Sequence, residues 1–332
     1  PSRTQKYLRR YYKAMADNTV RDVIMIGAGP SALAASVYTT REDIDTVLYE
    51  KGVVGGMAAI TDKVDNYPGF PDGIEGMRLA GLLQAQAERF GAQIELGEVS
   101  EIRDDGDFKT VVVDGAEVKA KSVLIATGSD YKKTGVPGEA EYFGRGVHYC
   151  ATCDGAFYRD KRLAVIGGGN SAVQETIFLT RFASHIDLLV RSSISASDVL
   201  QKELQKYVDE GKVTVHLQTT TQEIVANEGK ITSVKVNDNG ADTSIDVDGV
   251  FVFVGLLPNT GFLKDSAIEL DDVGLIKTDK TLQTNMKGVY ASGDVRSGAT
   301  LQIASAVGEG ATAALSIREY LDGLNHHAGS DA

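Results

Sequence analysis

Two glycine-rich loops of the same design limit the folds open to this chain. The first, Gly27-Ala28-Gly29-Pro30-Ser31-Ala32, follows the apolar run Val23-Ile24-Met25-Ile26 and precedes a helical stretch reaching about Thr39. The second, Gly167-Gly168-Gly169-Asn170-Ser171-Ala172, follows Leu163-Ala164-Val165-Ile166 in the same way. Each reads G-x-G-x-x-A. The first glycine permits a tight turn, the second lets backbone approach a pyrophosphate, and the small sixth residue lets helix and strand pack closely. Amides at the helix start then face the phosphates. One such motif arises readily by chance. Two, each between an apolar strand and a helix, point to an α/β chain with two Rossmann-like dinucleotide-binding units. A length of 332 residues suits two domains.

The strands that follow the two loops end differently. Thr46-Val47-Leu48-Tyr49 reads as the second strand of the first unit. Glu50 closes it at the offset where a carboxylate accepts hydrogen bonds from an adenosine ribose; a plain surface glutamate is the alternative. In the second unit the strand over 186–190 ends in Val190-Arg191-Ser192-Ser193. An acid there would suit NADH, whereas a guanidinium and hydroxyls suit a 2′-phosphate.

Between the loops lies Tyr149-Cys150-Ala151-Thr152-Cys153-Asp154-Gly155, which holds both of the chain's 2 cysteines. Thiols at this spacing can close a small ring and switch between dithiol and disulfide. A structural zinc site usually needs four ligands, no second Cys-x-x-Cys is present, and His148, His185, His216, His326 and His327 show paired spacing only at the tail. A purely structural disulfide closing so short a loop stabilises little through chain entropy. No run approaches 18 apolar residues, and the basic arm carrying Arg3, Lys6, Arg9, Arg10 and Lys13 is followed by no apolar signal core. The expected location is therefore cytoplasmic, off the membrane, where a Cys-x-x-Cys is more often catalytic than structural. A net charge of −12 argues against nucleic acid as a partner.

The remaining chain is read more coarsely. Gly55-Gly56-Met57 and Val64-Asp65-Asn66-Tyr67-Pro68-Gly69-Phe70 are turn-rich. Apolar spacing predicts a helix over 77–89 and another over 198–210. Strands are expected at 93–96, 109–113, 117–120 and 123–126, the last ending in Thr127-Gly128. Four more, near 212–217, 221–225, 231–236 and 244–247, read as a small sheet in the second unit, followed by a buried strand at 250–254. The stretches 132–138 and 255–260 read as crossing linkers. Val289-Tyr290-Ala291-Ser292 leads into Gly293-Asp294, and Leu301-Gln302-Ile303 opens a small-residue helix to about Tyr320, with a polar, disordered tail expected from Asn325. An aspartate before such a helix start offers a carboxylate for sugar hydroxyls and backbone donors for a ring carbonyl.

Taken in order, Gly27–Ala32, Gly128, the Cys-Ala-Thr-Cys-Asp-Gly stretch, Gly167–Ala172, Gly255–Thr260 and Gly293-Asp294 resemble the low-molecular-weight thioredoxin reductases, from about Arg21 to Leu321. The resemblance implies a homodimer and an NAD(P) domain inserted into a discontinuous FAD domain. The expected boundaries are 1–131 (with an arm at 1–20), 132–257 and 258–332 (with a tail at 325–332). It implies hydride transfer from NADPH to FAD, then reduction of Cys150–Cys153, then exchange with a thioredoxin or thioredoxin-like disulfide. Cys153 would face the flavin, Cys150 would attack the partner, and Asp154 would be the acid–base group. On the FAD side it points to Gly27, Gly29, Pro30, Ser31 and Ala32 in the first loop and to Glu50 after it. Gly56, Met57 and Asn66 follow, with Met57 standing where the family usually has Gln. Val99, Gly128, Gly293, Asp294, Gln302 and Ile303 complete that set. On the nicotinamide side it points to Gly167, Gly169, Asn170, Ser171, Arg191 and Ser192. There the family has a His, two arginines and a third Arg downstream; of the arginines only Arg191 is present, so NADH is possible as donor. Other readings are a flavin-dependent dithiol oxidase, a related enzyme fed by ferredoxin or deazaflavin, and a redox-sensing module that keeps FAD without turnover.

Overall fold

The apolar run after Arg21 is hydrophobic at successive positions, as a parallel strand covered on both faces must be. The structure, a computed structural model, describes residues 20–61 and 63–328, and side chains for all of these but 325–328. The basic arm and residues 329–332 of the expected tail lie outside the described residues. Strand β1 (Arg21–Ile26) turns at Gly27 into helix α1 (Pro30–Arg41). Pro30 suits the first helical position, where its missing N–H has no intrahelical partner to lose. Then come β2 (Thr46–Glu50), one helical turn at Gly56–Ala59, α2 (Gly76–Arg89), β3 (Gln93–Leu96), β4 (Val99–Asp104), β5 (Lys109–Val113) and β6 (Ala116–Ile125). Strand order is β3-β2-β1-β6-β5-β4. The two strands expected at 117–120 and 123–126 are one: β6 runs antiparallel to β5 up to Ala120 and parallel to β1 beyond it. Ser122, the polar break in that pattern, is buried and donates to the Gly288 carbonyl at 2.8 Å. Strand β4 was not foreseen; it pairs antiparallel with β5.

The chain divides into two compact units, leaving the first after Asp130 and returning to it at Pro258. The two crossings, Ser129–Tyr131 and Leu256–Pro258, pair with each other. The second unit contains β7 (Val147–His148), β8 (Arg162–Ile166), α3 (Asn170–Leu179), β9 (His185–Val190), α4 (Asp198–Asp209) and β10 (Val213–Leu217). Next are β11 (Thr219–Asn227), β12 (Lys230–Asp238), β13 (Ala241–Asp246) and β14 (Gly249–Val252). A parallel sheet has the order β7-β14-β8-β9-β10, and β11-β12-β13 form a separate antiparallel sheet. The strand near 212–217 thus belongs to the parallel sheet, not to the small one. Alternate side chains divide between two faces. Leu163, Val165, Ile186 and Leu188 pack with Val173 and Leu179 of α3 and Leu204 of α4. Ala164, Ile166, Val250 and Val252 pack instead against Ile224, Val234 and Val236 of the antiparallel sheet, which covers the second face.

Back in the first unit, β15 (Val289–Ala291) joins β6 in parallel, and α5 (Ile303–Ala328) follows. Helix α5 outruns its expected end near Tyr320, so the tail expected to be disordered from Asn325 is helical as far as Ala328. One face of the sheet, with Val23, Met25, Leu48 and Leu124, packs against Ala32, Leu33 and Ala35 of α1 and Ala313, Ala314 and Ile317 of α5. Ile24, Ile26, Val123 and Ile125 point the other way, onto Ile276, Val289 and Val295. Among the described residues no helix is long and apolar enough to cross a membrane.

The small side chains let α1 and α5 approach until backbone meets backbone. A Cβ built at Gly310 would collide with the carbonyl oxygen of Ser31. Gly310→Ala should therefore destabilise the first unit by about 1–3 kcal/mol, the usual range for overpacking, although alanine is the better helix former. Urea denaturation measures this, and an unchanged midpoint would show that the helices can part freely.

Candidate active site

In the first unit the loop is held from both sides. Gly27, at φ 95°, donates its N–H to Tyr49 O at 2.8 Å. The Glu50 carboxylate accepts from Ala28 N–H at 2.8 Å through Oε2 and from Gly52 N–H at 2.7 Å through Oε1. A carboxylate offers about four acceptor positions, so capacity for a sugar hydroxyl remains. Gly55 N–H donates to Ala28 O at 2.8 Å, which brings Gly56 beside the loop. A Cβ at Gly56 would lie 3.7 Å from the Gly29 Cα, whereas one at Gly29 would meet nothing within 4 Å. The loop thus presents an open backbone face at its second glycine.

Gly293, at φ 73°, sits over the start of α1: its Cβ would lie 3.2 Å from that of Ser31. The Ser31 and Ser292 hydroxyls share a buried hydrogen bond of 2.6 Å. Glu309 holds this turn, accepting from Gly293 N–H at 2.8 Å and pairing with the Arg296 guanidinium. Burial first, and the nearby Glu309 charge second, push the Asp294 carboxyl up to about 6. Asn66 donates to Gln302 Oε1 at 3.0 Å, and Ile303 packs with Tyr67, Phe70 and Leu79. The structure therefore brings together Ser31, Gly293 and Asp294, and separately Asn66, Gln302 and Ile303. Val99 lies apart from these contacts, in the core beside Val111 and Val113. Gly128, at φ 65°, accepts from Asn259 N–H at 3.1 Å, and Asn259 also exchanges hydrogen bonds with Thr127.

In the second unit Gly167, at φ 145°, donates to Leu189 O at 3.0 Å. The stretch after β9 folds back on this loop: Ser195 N–H donates to Gly168 O and Ser197 N–H to Asn170 Oδ1, each at 2.8 Å. Arg191, Ser192 and Ser193 are left exposed.

Cys150 and Cys153 of the same unit form a disulfide, with Cα atoms 5.3 Å apart. Cys150 caps the single helical turn Ala151–Asp154, and its Sγ accepts from Cys153 N–H at 3.1 Å. Both cysteines and Asp154 are partly buried. Buried Tyr149, just before the pair, donates its hydroxyl to Glu139 at 2.8 Å and stacks on Tyr131. Burial would raise the Glu139 carboxyl, but bonds from Thr134, Tyr149 and Gly135 outweigh it and hold it below its usual range. His148 bridges Asp154 Oδ2 and the Tyr158 hydroxyl.

A family model described as pyridine nucleotide-disulphide oxidoreductase matches residues 21–310. The thioredoxin reductase of Bacillus subtilis (strain 168) is 40% identical over 313 residues, which is 93% of this chain and 98% of that protein. The crystal structure of thioredoxin reductase from Streptococcus pyogenes MGAS5005 superposes with a TM-score of 0.87 at 39% identity, over 92% of this chain and 100% of that one. Thioredoxin reductase from Giardia duodenalis gives a TM-score of 0.86 at 29% identity, covering 91% and 98%. The chain belongs to the pyridine nucleotide-disulphide oxidoreductases, and to the thioredoxin reductases among them.

Several side chains that shape this reductase carried no role of their own in the sequence. Ser292, Asn259 and Glu309 act on turns through contacts distant along the chain. His148 stood in plain view beside the cysteines, but only the fold shows that it reaches Asp154. The environment of Asp294 has a measurable consequence. Its carboxyl holds a proton up to about 6, against 3.8 when exposed, so between those values the folded state binds the proton more tightly than the unfolded state. Stability then falls as pH rises through that window, by on the order of 2–3 kcal/mol. In reductase freed of bound nucleotide, Asp294→Asn should flatten this fall and be the more stable protein at neutral pH. Denaturation midpoints across the window decide it; parallel curves for the two proteins would show that the carboxyl titrates normally.

Proposed function

We propose that the chain is an FAD- and nicotinamide-dependent reductase of thioredoxin or a thioredoxin-like protein disulfide, with NADPH preferred and NADH possible. The observation that carries this reading is one chain with two dinucleotide loops and a Cys150–Cys153 disulfide that has Asp154 at its side. The residues of the first unit fit FAD. The open backbone at Gly29 suits a pyrophosphate, Glu50 keeps acceptor capacity for a ribose, and Asp294 is a half-buried carboxyl with room in its chemistry for a sugar hydroxyl. Gln302 and Ile303 open α5, where the first N–H groups of a helix lack intrahelical partners. When bound, FAD supplies the conversion between hydride transfer and paired electron transfer that no side chain provides.

The chain's own residues do the sulfur chemistry. Two electrons break the Cys150–Cys153 bond; one proton comes with the hydride and a second from solvent, so that two thiols result. Asp154 takes up and returns that second proton beside Cys153. Cys150, as thiolate, then attacks a sulfur of the partner disulfide, and Cys153 displaces it as the partner dithiol leaves and the internal bond re-forms. The family reading also carries a homodimer.

The test separates the two half-reactions. Cys150→Ser and Cys153→Ser should each abolish thioredoxin reduction by more than about a thousandfold while the flavin band still bleaches with NADPH under anaerobic conditions. A serine variant with normal disulfide turnover would make the pair structural.

Cofactor choice rests on the exposed turn at 191–193. A charge-assisted hydrogen bond contributes about 1.5–3 kcal/mol and a neutral one about 0.5–1.5. With a single arginine, the NADPH preference should be about tenfold. Arg191→Ala should bring kcat/KM for NADPH and NADH close together, chiefly by weakening NADPH, at fixed ionic strength. A variant that keeps its preference would place the phosphate elsewhere.

A further inference from the structure

We infer that His148 is a positioning residue for the Asp154 carboxylate, and that Tyr158 fixes the tautomer in which His148 holds it. His148 Nδ1 lies 3.2 Å from Asp154 Oδ2, and Nε2 lies 2.8 Å from the Tyr158 hydroxyl. The imidazole is only 7% exposed. It ends β7, pairs in register with Phe251 of β14, and its ring lies 5.2 Å from the Phe251 ring. Tyr158 meets both of those rings edge-on, and Gly249 presses so closely on the phenol that no Cβ would fit there. The three side chains come from one short stretch around the cysteines, but packing, not helical or strand spacing, brings them together.

The placing of the ring's proton follows from its two neighbours. Burial first, then the charges of Asp154 and Asp248, push the Tyr158 hydroxyl up to about 12, so it keeps its proton at working pH. A protonated phenol can donate or accept, so the carboxylate decides: Asp154 can only accept, and the ring nitrogen facing it, Nδ1, is the one that carries the proton. Nε2 of the neutral ring is then left to accept from the Tyr158 hydroxyl, and Nδ1 presents its N–H to Asp154 Oδ2 across 3.2 Å. The charged groups around this chain of bonds are Asp154 itself and Asp248, the latter held by Arg162 N–H at 2.9 Å and by Lys161 at 3.6 Å.

The consequence falls on the sulfur chemistry, so the inference rests on the acid–base role proposed for Asp154. When the Cys150–Cys153 bond breaks, one sulfur leaves as a thiolate and takes a proton; when the bond re-forms, a thiol gives one up. A carboxylate with one oxygen fixed by a rigid donor presents its other oxygen in a single orientation. Among the described residues no second side chain bonds the Asp154 carboxylate. Without His148 it would turn freely, and the proton transfer would lose part of the roughly 10²–10⁴-fold that a well-placed acid–base group contributes.

The experiment uses FAD-loaded enzyme with an oxidised bacterial thioredoxin as substrate. His148→Leu should lower kcat by about tenfold to a hundredfold, with KM for thioredoxin within about twofold, because the group acts on chemistry rather than docking. His148→Asn can place an amide N–H near the Nδ1 position and should recover most of the loss. Tyr158→Phe should fall between the two. In an Asp154→Asn background, His148→Leu should add nothing, since two residues acting on one proton transfer are not additive. Wild-type kcat in His148→Leu alongside a slow Asp154→Asn would overturn this inference and leave the proposed function standing. So would a full, additive loss in the double variant. Wild-type turnover in Asp154→Asn would overturn the assigned role of Asp154 and this inference with it. Should His148→Leu fail to fold, His148→Asn and Tyr158→Phe still decide: a His148→Asn as slow as Asp154→Asn, or a Tyr158→Phe with wild-type kcat, counts against the relay.

Discussion

Both nucleotide loops depend on a place where three stretches of backbone converge and no side chain fits. At Gly27 a Cβ would press on the carbonyl of Ala126, 2.6 Å away, just past the end of β6. At Gly167 it would strike the carbonyl of Phe253, just past the end of β14, and lie 2.8 Å from the Cβ of Ala172. In each unit the glycine N–H also donates to the next strand over, to Tyr49 O or Leu189 O. Strand end, helix start and neighbouring strand are thereby fixed to one another. This is the edge of an open α/β sheet where ligands bind, beyond the carboxyl ends of the strands. Everything else in the first site hangs on that crossing. Ala28 reaches Glu50 and Gly55 only because the turn at Gly27 is tight, and Gly293 meets Ser31 only because α1 starts where it does.

What could be read in the sequence was what local chemistry dictates. The two glycine loops, the strands leading into them and the cysteine pair each carry their reason within a few residues. Strand β4 was missed because Val99-Ser100-Glu101-Ile102-Arg103-Asp104 is mostly polar, its stability coming from pairing with β5 and from burying Val99 and Ile102. The division of β6 into two failed at Lys121 and Ser122, which look like a break. Lys121 pairs with Asp22 and Ser122 with a carbonyl far along the chain, partners no window around β6 contains. The strand at 212–217 was assigned to the wrong sheet for the same reason. Its partner β9 lies across helix α4, and periodicity says nothing about partners. Helix α5 ran past its expected end because Leu321 and Leu324 continue the apolar stripe that packs on the sheet.

The two acids of the first site differ through their surroundings rather than their chemistry. Glu50 spends one lone pair of each oxygen on backbone N–H groups, so its carboxylate is part of the scaffold of the loop as well as an acceptor facing outward. Asp294 is half-buried, and the charge of Glu309 repels it. Glu309 is itself committed to Arg296 and to Gly293 N–H, so the guanidinium that could have offset the charge on Asp294 is taken up one step away. A carboxyl in that position gains from a hydroxyl that can both donate to it and accept from it, which is what a sugar chain offers and water in a buried turn offers poorly.

The cysteine pair shows the same economy at shorter range, because its two sulfurs are not equivalent. The single turn Ala151–Asp154 aims the Cys153 N–H at Cys150 Sγ, 3.1 Å away. A donor so placed favours negative charge on Cys150 once the bond to Cys153 is broken, as helix-start amides do for reactive thiols. On the other side the chain sets Asp154 next to Cys153, with His148 and Tyr158 behind it. One sulfur therefore has a donor suited to a thiolate, and the other has a carboxyl suited to proton exchange. That asymmetry supports the roles proposed for the two sulfurs, attack for Cys150 and proton exchange for Cys153. It arises within the five residues from Cys150 to Asp154 and needs nothing from the rest of the fold except a rigid place to stand, which β7, Phe251 and the Tyr149–Glu139 bond supply.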